Sequence, residues 1–249
     1  MKNKLFAALA GVATLSCYGA SPPAGQAEAN PVYVYTTYYH CDNATLPKAD
    51  ETFTRLYKPV LNRLIADHTV LSWGWLGHNT GGDWGRAAYI ATPGVNAALA
   101  ATLNVQQQID RPPPKIQFDQ ACGSSEDYIW HMLAGNDAHA HRGNAAFSVY
   151  YVCDQSREQQ ADALMKRVFA PMYDRLVAEG KLTSWGWAEH IVGGKYRRLA
   201  TMTAPTVDAL MTAREGIVNA AEHDPLNDVF TSICGSHQDY IWDVKDQGP

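Results

Sequence analysis

One stretch of this sequence occurs twice, and its two copies are separated by a constant 112 residues. The copies span residues 72–86 and 184–198, and both read S-W-G-W-x-x-H-x-x-G-G-x-[W/Y]-x-R. An ungapped match of this length indicates a tandem duplication. The chain is therefore expected to contain the same fold unit twice.

Length and charge set the class of protein. The 249 residues allow one large domain or two small ones, and an apolar fraction of 46% is enough for packed cores. The net charge of −5, with no block of like charges, disfavours nucleic acid as a partner. After the first twenty residues, no apolar run is long enough to span a bilayer.

The N-terminus is typical of an export signal, which predicts a periplasmic or secreted protein. Lys2 and Lys4 precede an apolar segment at 5–15, and residues 27–29 (Ala-Glu-Ala) form a small-x-small cleavage site. The alternatives are a buried first helix and a lipid anchor at Cys17, whose surroundings weakly resemble a bacterial lipoprotein site.

The other four cysteines follow the 112-residue repeat, and they are Cys41, Cys122, Cys153 and Cys234. Four cysteines allow three pairings, and the repeat favours one disulfide within each copy, Cys41–Cys122 and Cys153–Cys234. Four buried thiols, or a metal site made of all four thiolates, are the alternatives. No C-x-x-C pair supports the metal site, so no metal is predicted.

The hydrophobic periodicity of each copy predicts the order β-α-β-β-α-β, a ferredoxin-like unit. In the first copy the predicted elements cover 31–41, 50–67, 70–78, 84–92, 93–108 and 127–132. In the second they cover 146–153, 158–179, 182–190, 195–203, 205–221 and 239–244. Pro59 and its equivalent Pro171 fall inside the long helices, so a kink or a late start is expected there. His68 is interpreted as a helix-end residue, because Gly180 ends the corresponding helix.

These elements divide the chain into a signal and spacer (1–29), a first ferredoxin-like repeat (31–133), a linker (134–144) and a second repeat (145–246). The order resembles the dimeric α+β barrel superfamily, whose relatives include antibiotic-biosynthesis-type monooxygenases, NIPSNAP-like and EthD-like proteins. The resemblance covers 32–245 at the level of element order, and no catalytic motif of the family maps onto the chain. It implies an α+β fold in which two repeats form a single-chain barrel, and a pocket for a small organic molecule or haem. It does not imply a reaction.

Aromatic residues retained in both copies are candidates for ligand binding, although core packing is an equally simple interpretation. Strand alternation places Trp73 and Trp75 on one face, and Ser72, Gly74 and His78 on the other, without deciding which face lines the interior. The candidate aromatic residues are Trp73, Trp75, Trp84, Tyr128, Trp185, Trp187, Tyr196 and Tyr240.

His78 and His190 precede the Gly-Gly turns and are the candidate acid–base residues, with hydrogen bonding to the turn backbone as the alternative. Arg86 and Arg198 are candidate anion-binding residues, with an ion pair to Asp127 or Asp239 as the alternative. A cavity that contains either histidine would favour a ligand site, whereas a filled interior would favour a structural role.

The sequence contains no G-x-S-x-G, H-E-x-x-H, P-loop or Rossmann motif, which disfavours hydrolases, zincins and nucleotide enzymes. His139 and His141 are interpreted as exposed linker residues. The preferred hypothesis is an exported protein that binds a small aromatic or carboxylated molecule, with cofactor-free oxygenase- or isomerase-like catalysis as its enzymatic form. A non-catalytic binding or assembly module of the cell envelope, and a haem protein with one histidine as axial ligand, are the alternatives.

Overall fold

The computed structural model describes residues 31–110, 114–136 and 142–249. The first half (31–136) contains β1 (Tyr33–His40), α1 (Leu46–Thr52), a π-helical turn (Phe53–Tyr57), α2 (Lys58–Ala66), β2 (Ser72–Gly81), β3 (Arg86–Thr92), α3 (Val95–Ile109), α4 (Pro114–Ala121) and β4 (Ser124–Gly135). The second half (142–249) contains β5 (Ala145–Val152), α5 (Glu158–Leu164), a π-helical turn (Met165–Phe169), α6 (Ala170–Ala178), β6 (Ser184–Val192), β7 (Arg198–Ala204), α7 (Val207–Ala221), α8 (Pro225–Cys234) and β8 (Ser236–Gly248). The predicted signal segment and the two linker histidines lie outside the described residues. No described helix is long and apolar enough to cross a bilayer.

The eight strands close into one antiparallel barrel in the order β1-β3-β2-β8-β5-β7-β6-β4. Each half contributes a four-stranded ferredoxin-like sheet, and the halves join where β2 pairs with β8 and β4 pairs with β6. At these seams His78 lies opposite Trp242, and His190 lies opposite Trp130. The expected fold, two tandem ferredoxin-like repeats in a single-chain α+β barrel, is confirmed.

Each half is cross-linked to itself, as the repeat predicted. Cys41 is bonded to Cys122 and Cys153 to Cys234, and both pairs are 81 residues apart in sequence. In each half the bridge ties the chain after the first strand to the end of the short helix that precedes the last strand. The disulfide therefore joins the same two points of the fold in both halves.

The long helix of each half is continuous but contains a π-helical turn directly before its proline. Phe53–Tyr57 precedes Pro59, and Met165–Phe169 precedes Pro171. Proline has no N–H to donate to the preceding turn, and a π turn is one way in which a helix absorbs such a break. Where a kink or a late start was expected, the structure has a π-helical turn.

The helix-end prediction for His68 is also confirmed, because its φ of 56° matches the left-handed conformation of Gly180 at φ 70°. The short helices α4 and α8 were not predicted. Both are amphipathic only weakly or over few turns, and each begins at a proline that follows a polar connection. They cover the outer face of the sheet beside the disulfides, and they form one wall of the cavities described below.

Candidate functional site

The candidate aromatic residues fall into two groups on opposite faces of the barrel wall. Trp73, Trp75, Trp185 and Trp187 point outward to the helices, are at most 3% exposed, and lie in the cores between sheet and helices. Their indole N–H groups donate to helix side chains, for example Trp75 Nε1 to Asp50 at 2.8 Å and Trp187 Nε1 to Asp162 at 2.9 Å. None of these four lines a cavity found among the described residues, so their position is that of core residues.

The other candidates point inward and fill one end of the barrel. We call this cluster the aromatic plug; it consists of Tyr38, Trp84, Tyr128, Trp130, Tyr150, Tyr196, Tyr240 and Trp242. The rings stack closely, with centroids 4.1 Å apart for Tyr38 and Trp84 and 5.0 Å apart for Trp84 and Tyr240. Such packing leaves this end of the interior without space for a ligand.

His78 and His190 lie against the plug. The His78 ring meets Tyr240 and Trp242 edge-on at 6.1 and 6.3 Å, and the His190 ring meets Tyr128 and Trp130 in the same way. The backbone N–H of each histidine also donates across the Gly-Gly turn, to Gly85 or to Arg197. Neither imidazole lines any of the three described cavities. Their assignment as acid–base residues stays a prediction.

The two histidines differ in their contacts. Arg197 Nη1 lies 2.7 Å from His190 Nδ1, whereas the position equivalent to Arg197 in the first half is Gly85. Burial, and then the positive charge of Arg197, lower the pKa of His190 below its usual value. Because an arginine can only donate, Nδ1 is the acceptor, and the proton of the neutral ring lies on Nε2.

The ion pairs with Asp127 or Asp239, given as the alternative to anion binding by Arg86 and Arg198, are not formed. Arg86 forms a bidentate ion pair with Asp50, with both N–O distances at 2.7 Å, and not with Asp127. Arg198 binds Asp162 in the same manner and also contacts Glu158 at 3.1 Å. Both guanidinium groups are buried on the helix side of the sheet, with their donors occupied, so they do not face the barrel interior. The sequence did not indicate these partners because the aspartates lie 36 residues upstream, on the first long helix of each half.

The open end of the barrel holds a small cavity of about 80 Å³. Its wall consists of aliphatic residues and aromatic rings, with a few hydroxyl groups and the buried Arg142. The Arg142 guanidinium stacks 4.5 Å above the Tyr89 ring and donates to its hydroxyl. Burial lowers the pKa of Arg142 to about 10. Gly74 permits this arrangement, because a Cβ at that position would lie 2.2 Å from the Tyr89 ring. The space fits a few waters but is well below the roughly 300 Å³ of the smallest ligand pockets.

A much larger cavity lies outside the barrel, between the sheet of the first half and its helices. This first-half cavity has a volume of about 580 Å³, which is within the range of pockets that bind small organic molecules. Strand β1 forms its floor, and α3 and α4 form its sides. Its aromatic lining consists of Tyr35, Tyr39, Phe53, Tyr57 and Phe118.

Several polar groups converge on the first-half cavity. Asp127 accepts a hydrogen bond from Thr37 Oγ1 at 2.7 Å, and burial together with this carboxylate raises the pKa of Tyr35 to about 12. Burial raises the pKa of Tyr39 and of Tyr57 further. The three phenols are therefore protonated at neutral pH and can donate hydrogen bonds. Thr102 Oγ1 is buried and has no hydrogen-bond partner among the described residues.

The second half has an equivalent cavity of about 300 Å³. The repeat places Tyr173 where the first-half cavity has Leu61, and Arg214 where it has Thr102. Arg214 crosses this second-half cavity, lies 4.9 Å from the Phe147 ring and reaches Asp239 at 3.5 Å. Two larger side chains, one of them charged, therefore occupy space that is open in the first half.

Sequence reasoning missed the first-half cavity, although β1 carries a signal for it. Tyr33, Tyr35, Thr37 and Tyr39 alternate along the strand and share the face that packs on the helices. An outer face made of tyrosine and threonine, instead of aliphatic residues, places hydroxyl groups between sheet and helices. A fully packed apolar core would have no use for them. Within the described residues no group of three or more potential metal ligands was found.

Comparison with known proteins gives a fold and no closer relationship. No protein-family model and no curated protein matches the chain. A proposed monooxygenase from Lactobacillus acidophilus superposes with a TM-score of 0.57 at 7% identity, covering 88% of this chain and 96% of its own. A mutant chlorite dismutase from Candidatus Nitrospira defluvii, in complex with cyanide, superposes with a TM-score of 0.57 at 6% identity. The match covers 88% of this chain and 91% of the dismutase chain. A heme-binding protein from Thermus thermophilus gives 0.51 at 9% identity with 86% and 90% covered. The likeness spans both halves and shows that the chain shares the α+β barrel fold of these proteins.

Proposed function

We propose that the protein is an exported small-molecule-binding α+β barrel whose ligand occupies the first-half cavity. The observation that carries the proposal is a cavity of about 580 Å³ whose wall combines aromatic and aliphatic side chains with protonated phenols, carboxylates and an unpartnered threonine hydroxyl. Ligand pockets combine this kind of apolar surface with a few placed polar groups. If the interface between sheet and helices had only a structural role, side chains would be expected to fill it. The second half, with its smaller cavity, is closer to that state.

The two disulfides support the exported part of the proposal, because such bonds persist in oxidising compartments. The signal-like N-terminus of the sequence points the same way. Lipidation at Cys17 stays an alternative route to the same compartment. Mass spectrometry of the mature N-terminus would distinguish a chain that begins near residue 30 from one that begins with a lipidated Cys17.

Catalysis is a finer form of the proposal. Similar structures include proposed monooxygenases and an anthrone oxidase-like protein, which makes cofactor-free oxygenase- or isomerase-like chemistry the first reaction class to test. The acid–base groups that line the first-half cavity are phenols and carboxylates, whereas His78 and His190 lie elsewhere. Any such reaction in this cavity would therefore use Tyr35 and Asp127 before either histidine.

The heme-binding protein among the similar structures raises the haem alternative. The described lining of the first-half cavity contains no histidine or methionine, and its Cys122 is held in a disulfide. These residues do not fit a histidine-ligated haem. An absorption spectrum of the purified protein tests this directly, and a Soret band would favour the haem alternative.

The chain supplies its own cavity-filling variant for the main test. Leu61→Tyr combined with Thr102→Arg gives the first half the side chains that narrow the second-half cavity, while Thr102→Ser is the matched control. A library of small organic molecules is screened by thermal shift against all three proteins. We expect compounds that raise the Tm of the native protein and the Ser variant and leave the filled variant unchanged, because only binding to the folded state stabilises it.

Two outcomes would contradict the proposal. Compounds that stabilise the filled variant as strongly as the native protein would place the binding site elsewhere. A library with no stabilising compound would favour the alternative of a non-catalytic assembly module. Circular dichroism of the filled variant checks that its fold is retained.

A further inference from the structure

In the second half, the guanidinium group of an arginine occupies the cavity. Arg214 projects from α7, its guanidinium lies 4.9 Å from the centre of the Phe147 ring, and its Nη2 is 3.5 Å from Asp239 Oδ2. A cation between a ring face and a carboxylate is a recurrent arrangement, in which both partners attract the same charge. In this half the protein thus provides the cation from its own helix.

The first half keeps the two attracting groups and lacks the cation. The repeat places Tyr35 at the position of Phe147, Asp127 at the position of Asp239, and Thr102 at the position of Arg214. All three line the first-half cavity. In the described part of the chain Asp127 accepts hydrogen bonds from the hydroxyls of Thr37 and Tyr35 but forms no ion pair.

The rest of the lining also favours a cation. Asp110, Asp119 and Asp127 outnumber the single lysine, Lys115, which pairs with Asp119, so the lining carries a formal charge of −2. Tyr39, Tyr57 and Phe118 add further ring faces to that of Tyr35. Because the tyrosines are protonated, their rings offer neutral faces of the kind that bind organic ammonium groups.

We propose that the first-half cavity binds an organic cation, with an amidinium, guanidinium or ammonium group held between Asp127 and Tyr35 and an apolar body enclosed by the aromatic wall. The inference rests on the proposed function and specifies the class of its ligand. Asp127 lies at the exposed mouth of the cavity, so the ring faces and the enclosed apolar body contribute the larger share of affinity. The sequence led us to expect an aromatic or carboxylated ligand. A carboxylate is no longer favoured, because Arg86 and Arg198, which would have bound it, are paired with helix aspartates.

Three probes of the same shape test the charge. Benzamidinium, benzamide and benzoate share one aromatic ring and differ in net charge, and isothermal titration calorimetry measures each with the full-length protein. We expect benzamidinium to bind about tenfold more tightly than benzamide, and benzoate to bind most weakly. The Asp127→Asn variant keeps the Thr37 hydrogen bond, so it should lose about tenfold in benzamidinium affinity and retain its benzamide affinity.

Thr102→Arg supplies the missing cation from the helix, as Arg214 does in the second half, and should abolish benzamidinium binding. If benzamide or benzoate binds as tightly as benzamidinium, and Thr102→Arg still abolishes that binding, the cavity binds ligands and the cation inference is wrong. If benzamidinium binds Thr102→Arg and the native protein equally, both the inference and the proposed function fail. Absence of binding by all three probes overturns the inference, while the library screen decides the proposed function separately.

Discussion

The two halves of the barrel have the same framework and different interiors on their helix sides. Strand order, disulfide span, π-helical turn and the arginine–aspartate pair recur at the same positions in both. The cavities differ, at about 580 Å³ in the first half and about 300 Å³ in the second. The difference accompanies several substitutions, among which Thr102/Arg214, Ser125/His237 and Leu61/Tyr173 place a larger side chain in the second half. A duplicated unit can therefore keep one framework in both copies while the cavity of one copy is narrowed and that of the other stays larger.

The comparison predicts equal contributions from the two disulfides, and this is the largest effect expected. In the chain-entropy description a loop of 81 residues stabilises the folded state by about 4 kcal/mol. We expect Cys41→Ser with Cys122→Ser, and Cys153→Ser with Cys234→Ser, each to lower the free energy of unfolding by about that amount. Urea denaturation measures both, with the native protein under reducing conditions as control. A loss confined to one half would show that the frameworks are not equivalent.

Removing the carboxylate partner of the buried arginine is expected to cost more stability in the first half than in the second. Asp50→Ala leaves Arg86 buried without a carboxylate, because Leu46 occupies the position of Glu158. Asp162→Ala leaves Arg198 with its contact to Glu158 at 3.1 Å. Uncompensated buried charges cost about 3–5 kcal/mol, so we expect Asp50→Ala to lose about 3 kcal/mol and Asp162→Ala clearly less.

The measurement is again the free energy of unfolding from urea titrations, with Asp50→Asn and Asp162→Asn as variants that keep an acceptor. Equal losses for the two alanine variants would mean that Glu158 does not compensate Arg198. The two arginine–aspartate pairs would then be equivalent in the two halves.

The fold was predictable because the repeat doubled every local signal. Paired cysteines, prolines and the Gly-Gly turns each occur twice at one spacing, so the element order and the disulfide pairing could be read without tertiary information. The short helices α4 and α8 were missed because eight to ten residues give little periodicity.

The site was less predictable, for a physical reason. Retained residues such as Trp75, Arg86 and the rings of the aromatic plug turned out to form the framework that both halves need. The candidate site in the first-half cavity depends on positions that differ between the copies, such as Thr102, and a search for retained residues passes over them. Which face of a strand lines which space also depends on barrel closure, and alternation alone cannot decide it.

The smallest expected effect concerns pH and the two histidines. Burial and Arg197 hold the pKa of His190 below its ordinary value, so between that lowered pKa and the usual 6.5 the unfolded chain binds more protons than the folded protein. Stability from this group is therefore present above about pH 6.5 and is lost as the pH falls through the lowered pKa.

Urea titrations from pH 5 to 7.5 should show a shallower pH dependence for His190→Gln than for the native protein. Arg197→Gln keeps a hydrogen-bond donor and removes the charge, so it should reduce the effect only in part, because burial is the larger cause. An unchanged pH dependence in His190→Gln would mean that folding does not change the proton uptake of this ring, which would contradict the lowered pKa of His190.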